Sequence, residues 1–109
     1  MERSFDFVIL LDIYGELLAN SQREALDMRY NADLSLSEIA EEMGGVTRQS
    51  VAYAIKKGEQ KLLELEGKLG FAKRLGSVSA KLERVQQLLD TEGSGDDIKL
   101  LLAEIKREL

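Results

Sequence analysis

Two adjacent glycines, Gly44-Gly45, interrupt a run of helix-forming sequence near the middle of this 109-residue chain, and they constrain the fold more than any other feature. Before them, Ser35 and Glu38 have the spacing of a capping box, in which each side chain accepts a hydrogen bond from the other residue's backbone N–H. A helix is therefore predicted to begin there, and its apolar stripe is Ile39, Ala40 and Met43. Glycines tolerate left-handed backbone that other residues avoid, so the pair predicts a turn.

A second helix is predicted directly after the turn. Thr47 offers an N-cap oxygen, and Val51 and Ile55 stand four residues apart, which places them on one side of the helix facing the first. The span from Leu34 to Leu62 therefore has the pattern of a helix-turn-helix.

The outer side of this second helix carries side chains that suit nucleic acid. At about 100° per residue, the positions opposite Val51 and Ile55 include Gln49, Tyr53, Lys56 and Gln60. Such side chains donate to phosphates, bond base edges or stack on bases, although a solvated helix face with no ligand has the same composition. The DNA-binding candidates are Thr47, Arg48, Gln49, Ser50, Tyr53, Lys56 and Lys57.

Three segments carry a family resemblance: the stretch from Ser21 to Tyr30, SLSEIAEEMG, and VTRQSV. Together they resemble the C-terminal helix-turn-helix of bacterial sigma factors (region four), and more closely the YlxM family of small helix-turn-helix proteins. The resemblance implies an all-α, sigma-region-four-like protein that regulates by binding DNA. It also implies a link to the signal recognition particle (SRP) pathway, because genes of the family neighbour those of the particle's GTPase components. The family usually has one glycine in this turn, whereas this chain has two.

Length and composition predict one helical domain, 1–109, with a helix-turn-helix core at 21–62 and a C-terminal helical extension at 63–109 for dimerisation or packing. The chain has no proline that would forbid long helices, and it has no cysteine that would indicate an oxidising compartment, so a cytoplasmic protein is expected. Its longest apolar run, Phe7 to Leu11, is far shorter than the roughly 18 residues of a membrane span.

The charges are unevenly distributed within a formal net charge of −5. Residues 44–61 contain Arg48, Lys56, Lys57 and Lys61 against Glu59 alone, whereas residues 1–34 hold seven acidic and three basic side chains. Because binding to DNA depends on neutralising phosphates, four cations predict weak binding by one copy and useful affinity only for a homodimer.

The N-terminal segment from Phe5 to Leu18 is apolar on almost every side, so it must be covered on more than one face. We favour a core helix, and the alternative is that it contacts a second subunit through Phe7, Ile9, Leu10, Ile13 and Tyr14. Ser21 and Glu24 form a second predicted capping box, which opens a helix with Ala25, Leu26 and Tyr30 inward, and 31–33 form a loop.

The C-terminal extension has heptad spacing in Val78, Leu82, Val85 and Leu89, after an earlier apolar series of Leu62, Leu65, Leu69 and Ala72. Gly76-Ser77 predicts either a helical hairpin or one kinked helix, and the hairpin is favoured because glycine disfavours helix. A loop at 91–95 precedes a last helix, capped by Asp96 or Asp97, whose apolar face is Ile98, Leu101, Leu102, Ile105 and Leu109.

Catalytic chemistry is not indicated. The chain has no histidine and no cysteine, which removes the usual general base, thiolate nucleophiles and the common zinc and haem ligands. Glu92, Asp96 and Asp97 lack calcium-loop spacing, so no metal or other cofactor is predicted. The favoured interpretation is a homodimeric DNA-binding regulator. The alternatives are an adaptor that binds SRP or ribonucleoprotein components without reading DNA, and an RNA-binding protein in which Tyr53 stacks on a base.

Overall fold

The computed structural model describes residues 3–91 and 95–109, and the fold it shows is all-α. In chain order the helices are α1 (Arg3–Tyr14), α2 (Asn20–Tyr30), α3 (Leu36–Glu42), α4 (Arg48–Leu69), α5 (Phe71–Asp90) and α6 (Gly95–Glu108), with one 3-10 turn at Gly15–Leu17 after α1. The chain divides into two compact units, Met1–Gly70 and Phe71–Leu109. The predicted single domain, 1–109, stays a prediction.

In the first unit, α1, α2 and α3 pack around α4. Phe7, Leu10 and Tyr14 of α1 are buried, together with Leu26 of α2 and Ile39 of α3. The Tyr14 hydroxyl donates to Glu66 Oε1 at 2.7 Å, and this bond ties the end of α1 to α4. These contacts support the core interpretation of the N-terminal helix, while its remaining candidates Ile9 and Ile13 are half-buried.

The turn between α3 and α4 is built as its residues predict. Ser35 Oγ accepts from the Glu38 backbone N at 3.1 Å, and Glu38 Oε1 accepts from the Ser35 N at 2.9 Å, so the capping box is confirmed. Gly44 and Gly45 have φ of 90° and 82°, a left-handed backbone at both positions. Thr47 Oγ1 then accepts from the Ser50 N at 3.0 Å and caps α4.

Two of the predicted caps are wrong. The N-cap of α2 is Ala19, with no side-chain bond, so Ser21 lies inside the helix and the second capping box does not form. In α6, Asp96 and Asp97 lie in the first turn instead of capping it, where their charge suits the helix dipole. Most of the predicted loop at 91–95 lies outside the described residues, including Glu92 and the Gly93-Ser94 pair.

The predicted hairpin at Gly76 is also wrong. α5 runs without a break from Phe71 to Asp90, and the preceding helix ends earlier, where Gly70 adopts φ 63° as the left-handed C-cap of α4. The cause is local: a glycine inside a helix costs only about 1 kcal/mol, whereas a left-handed residue stops the hydrogen-bond pattern. Gly76 meets no neighbouring atom within 4 Å of its would-be Cβ, so packing does not require a glycine there.

The second unit is a pair of antiparallel helices, α5 and α6. Ser77, near the start of α5, donates to Glu108 Oε1 at the end of α6 over 2.7 Å. Lys81 forms ion pairs with Glu108 at 3.2 Å and Glu104 at 3.6 Å. Val85, Leu88 and Ile105 are its buried apolar side chains among the described residues.

Candidate nucleic-acid interface

We call Gln49, Ser50, Tyr53, Lys56 and Lys57 the outer face of α4. The cap residue Thr47 and Arg48 precede it at the start of the helix. The orientation of the outer face follows from the opposite side of the helix, where Val51, Ile55, Gly58 and Leu62 are buried. The five residues of the outer face are exposed, and so are Thr47 and Arg48, as the sequence predicts. Val51 and Ile55, the residues of α4 predicted to face inward, are therefore buried even though the turn contains an extra glycine.

Gly58 sets how closely α4 approaches α2. A Cβ at this position would lie 2.6 Å from Leu26 Cδ1 and 3.4 Å from Gln22 Cβ. Because Leu26 is fully buried, its side chain has no room to move aside. The glycine thus allows α4 to pack closely against α2. This close packing also sets the distance between the outer face of α4 and the core.

Tyr53 is the aromatic residue of the outer face. It is 64% exposed, so it contributes little to the core. Lys57 Nζ lies 5.6 Å from the centroid of its ring, and a cation–π contact of this kind at an exposed site contributes about 0.5–1 kcal/mol. The contact holds a cation and a flat ring side by side, an arrangement that suits a phosphate next to a base or sugar.

The start of α4 offers backbone donors as well as side chains. Thr47 Oγ1 is occupied by the Ser50 N–H, and the Val51 N–H bonds the Thr47 carbonyl. The first N–H groups of any α-helix have no partner within the helix, and the helix dipole adds positive potential there. Arg48 and Gln49 therefore present both side chains and backbone N–H groups at the end of α4 that faces solvent.

Carboxylates are confined to the second half of α4. Glu59 accepts a hydrogen bond from the Tyr30 hydroxyl. Glu64 accepts from Lys68 Nζ at 3.2 Å, and this bond, helped by the nearby charge of Lys61, lowers the pKa of Glu64. The positive potential of α4 is consequently concentrated between Arg48 and Lys57.

A shallow groove of 540 Å³ lies beside the outer face, between α4, α2 and the start of α3. Its apolar wall includes Tyr30, Leu36, Ile55 and Leu63, and its rim includes Arg29, Lys56, Glu59 and Gln60. Sequence reasoning missed the groove because three helices contribute to it. The one sequence signal was Leu63, an apolar residue off the inward line of α4, and it is 49% exposed.

Two kinds of feature are absent from the part of the chain that the structure describes. Within 3–91 and 95–109, no group of three or more acidic, histidine or cysteine side chains is arranged to hold a metal ion. No helix in that part of the chain has the length and apolar character needed to cross a membrane.

The family model described as "Putative helix-turn-helix protein, YlxM / p13 like" (UPF0122) matches residues 1–102. The chain belongs to the UPF0122 family. This confirms the resemblance found in the α2, α3 and α4 segments, and the family description agrees with the helix-turn-helix that α3, the glycine turn and α4 form.

Relatives within the UPF0122 family match most of the chain. A protein from Desulforamulus reducens is 42% identical over 88 residues, covering 81% of this chain and 74% of the relative. One from Clostridium kluyveri is 38% identical over 101 residues, covering 93% and 90%. One from Clostridium perfringens is 33% identical over 110 residues, covering 100% and 97%. The similarity thus extends beyond the helix-turn-helix into the second unit.

Proposed function

We propose that this protein is a DNA-binding regulator, not an enzyme, that places the outer face of α4 in the major groove. The observation that carries the proposal is the combination of a capped helix start, where Arg48 is exposed, with exposed Gln49, Lys56 and Lys57 on one side of α4. Recognition helices of helix-turn-helix proteins contact base edges mainly through their N-terminal residues. The family description, which names a helix-turn-helix, supports the same class of function.

The side chains have different roles in this proposal. Lys56 and Lys57 bind phosphates, which sets affinity but carries no sequence information. Gln49 reads a base edge, since an amide can donate to and accept from one base together. Arg48, Ser50 and Thr47 contact the backbone or bases near the helix start. Tyr53 packs against sugar or base next to Lys57.

Two copies are part of the proposal, because one outer face has few cations and the chain carries a formal net charge of −5. Joining two faces makes the second binding event intramolecular and raises affinity without a new kind of interaction. We further propose that the protein acts in the cytoplasm and that the regulated process belongs to the SRP pathway, as the YlxM resemblance implies.

The test is the affinity for duplex DNA, measured by fluorescence anisotropy over a range of salt concentrations. Replacing both Lys56 and Lys57 by alanine should weaken binding to all sequences and reduce the slope of log K against log salt by about 2, because two phosphates are no longer neutralised. Lys68→Ala, on the same helix but paired with Glu64, is the matched control and should leave that slope unchanged.

Gln49→Ala should change sequence preference by about 1–3 kcal/mol at one base pair while leaving the salt slope intact. If the double lysine variant and the Gln49 variant both bind DNA as the wild type does, the assignment of the outer face is wrong.

A second candidate function, an adaptor that docks on SRP or ribonucleoprotein components, is favoured by the groove beside α4. Its apolar wall of Tyr30, Leu36, Ile55 and Leu63 suits an apolar side chain of a partner protein. For this function, Leu63→Glu should abolish co-purification with those components, whereas Lys57→Ala, outside the groove, should not. The opposite result favours DNA.

A further inference from the structure

The second unit carries a line of exposed leucines on each of its two helices. We call Leu75, Leu82 and Leu89 of α5, with Leu102 of α6 and Leu109 directly after α6, the leucine face. The α5 members are 53%, 49% and 67% exposed, Leu102 is 43% exposed and Leu109 is 81% exposed. Residues seven apart differ by only about 20° around a helix, so each line runs straight along its helix.

The leucines of each line occupy every second apolar position of a heptad repeat, in which apolar residues are spaced alternately three and four apart. On α5 the repeat alternates by three and four residues between the leucines and two valines, of which Val85 is buried and Val78 half-buried. Along α6 and the residue after it the spacing is the same: Ile105 is buried and Ile98 half-buried, whereas Leu102 and Leu109 are exposed. In both helices, therefore, the β-branched residues of the heptad repeat pack between α5 and α6, and the leucines of the repeat are exposed to solvent.

The two lines lie on the same side of the helix pair. Val85 follows Leu82 by three residues, and Ile105 follows Leu102 by three. In both helices the leucines are therefore rotated about the helix axis by about 60° from the buried Val85 or Ile105, and in the same sense. Because α5 and α6 are antiparallel and face each other, equal turns in the same sense bring both lines to one side. The leucine face is thus one continuous apolar surface.

The helix pair needs a partner that packs against the leucine face. Among its described residues, only Val85, Leu88 and Ile105 are buried apolar side chains. Two helices with so small a core are marginal in water, since most helical stability in proteins comes from packing an apolar face. A bundle of four helices is the common solution for helices with a wide apolar face.

The charges beside the leucines differ between the two helices. On α5, exposed Glu83 and Asp90 each follow a leucine of the line and lie on the side away from α6. On α6, exposed Lys99 and Lys106 each precede a leucine by three residues and lie on its side away from α5. One outer edge of the leucine face is therefore acidic and the other basic.

We propose that the leucine face binds the leucine face of a second copy of this chain, forming a four-helix bundle in which α5 of each copy lies antiparallel to α6 of the other. This arrangement sets Glu83 and Asp90 of one copy opposite Lys99 and Lys106 of its partner on both edges of the bundle. The alternative pairing, α5 against α5, sets acid against acid and base against base, and like charges across an interface are unfavourable. The two-fold surface is self-complementary, as a closed dimer requires.

The inference deepens the proposed function, because it names the surface that joins the two copies, yet it is tested without DNA. Sedimentation equilibrium of the full chain at micromolar concentration should give twice the chain mass of 12.2 kDa. Leu82→Glu puts a charge at the centre of the face and should weaken the dimer at least about tenfold, because burying an unpaired carboxylate is costly. Leu100→Glu is the matched control, since Leu100 is 58% exposed but lies on the other side of α6, and it should remain dimeric.

Cross-linking tests the arrangement of the helices in variants that keep all of their leucines. The chain has no cysteine, so single cysteines can be introduced without interference. An equimolar mixture of Glu83→Cys and Lys99→Cys should give more cross-linked dimer with a short bifunctional thiol reagent than either variant alone. A monomer at all concentrations, a dimer that Leu82→Glu leaves intact, or cross-linking of Glu83→Cys to itself in preference to the mixture would each overturn the proposal. None of these results depends on whether the outer face of α4 binds DNA.

Discussion

Gly58 is the residue that sets how closely α4 packs on α2, and its spacing places it on the inward side of α4 with Val51, Ile55 and Leu62. It is buried, and its would-be Cβ lies 2.6 Å from the wholly buried Leu26. Gly67, further along α4, is exposed, and its would-be Cβ meets nothing within 4 Å. The two glycines therefore make a matched pair for substitution.

We expect Gly58→Ala to lower the free energy of unfolding by about 1–2 kcal/mol, because overpacking against Leu26 outweighs the better helix propensity of alanine. Gly67→Ala should raise the free energy of unfolding by about 0.5–1 kcal/mol, since only propensity changes there. Urea unfolding of the full chain measures both. Equal stabilisation by the two substitutions would show that α4 does not approach α2 as closely as described.

At the scale of the helices, the caps decide where α3 and α4 begin. The Glu38 carboxylate accepts the Ser35 backbone N–H, and this bond, with that of the Ser35 side chain, lowers the pKa of Glu38 below its ordinary value of 4.5. A carboxyl group with a lowered pKa in the folded state stabilises the fold above its unfolded pKa, and that contribution is lost as the pH falls through the folded value.

Glu38→Gln keeps a side chain able to complete the capping box but removes its titration. We expect the stability of this variant to fall less steeply than that of the wild type as the pH is lowered from neutrality to below 4.5. Glu42→Gln, at the end of the same helix, is the control. Thermal unfolding followed by circular dichroism across this pH range provides the comparison, and parallel curves for Glu38→Gln and the wild type would contradict it.

The helix-turn-helix was predictable from sequence because its signals are local. A capping box, two glycines and an N-cap threonine each act within about four residues of chain. The failures have equally local causes. Ser21 and Glu24 have the spacing of a capping box, but α2 begins one residue before Ser21, with Ala19 as its cap. Gly70 and Gly76 look alike in sequence, and only the left-handed backbone at Gly70 ends the helix.

The groove and the leucine face were harder to predict, since each depends on how helices meet. The heptad in α5 was visible, but which half of it faces α6 depends on the antiparallel pairing held by Ser77, Lys81 and Glu108. The hydrogen bond from Ser77 lowers the pKa of Glu108, in agreement with this pairing. The candidate residues of the outer face were predictable as exposed, because Val51 and Ile55 alone define the inward direction of α4.

At the scale of the whole molecule, the two units differ in how much they bury. The first unit has a core that includes Phe7, Leu26, Ile39 and Leu62, whereas the second depends, in our proposal, on a second copy of the chain. Amide hydrogen exchange rates should distinguish the two units. In Leu82→Glu, amides of α5 and α6 should exchange at least about tenfold faster than in the wild type, because the second copy no longer stabilises their folded state. Amides of α2 and of the first half of α4 should be unchanged, and uniform acceleration in both units would contradict this division.

In our proposal the outer face of α4 reads DNA, and selection of bound sequences from a random duplex pool by the full chain tests this most directly. We predict enrichment of a two-fold symmetric site whose preferred bases change with Gln49→Ala. A selected pool that is as random as the starting pool, or an enriched site that is the same for wild type and Gln49→Ala, would contradict the proposal.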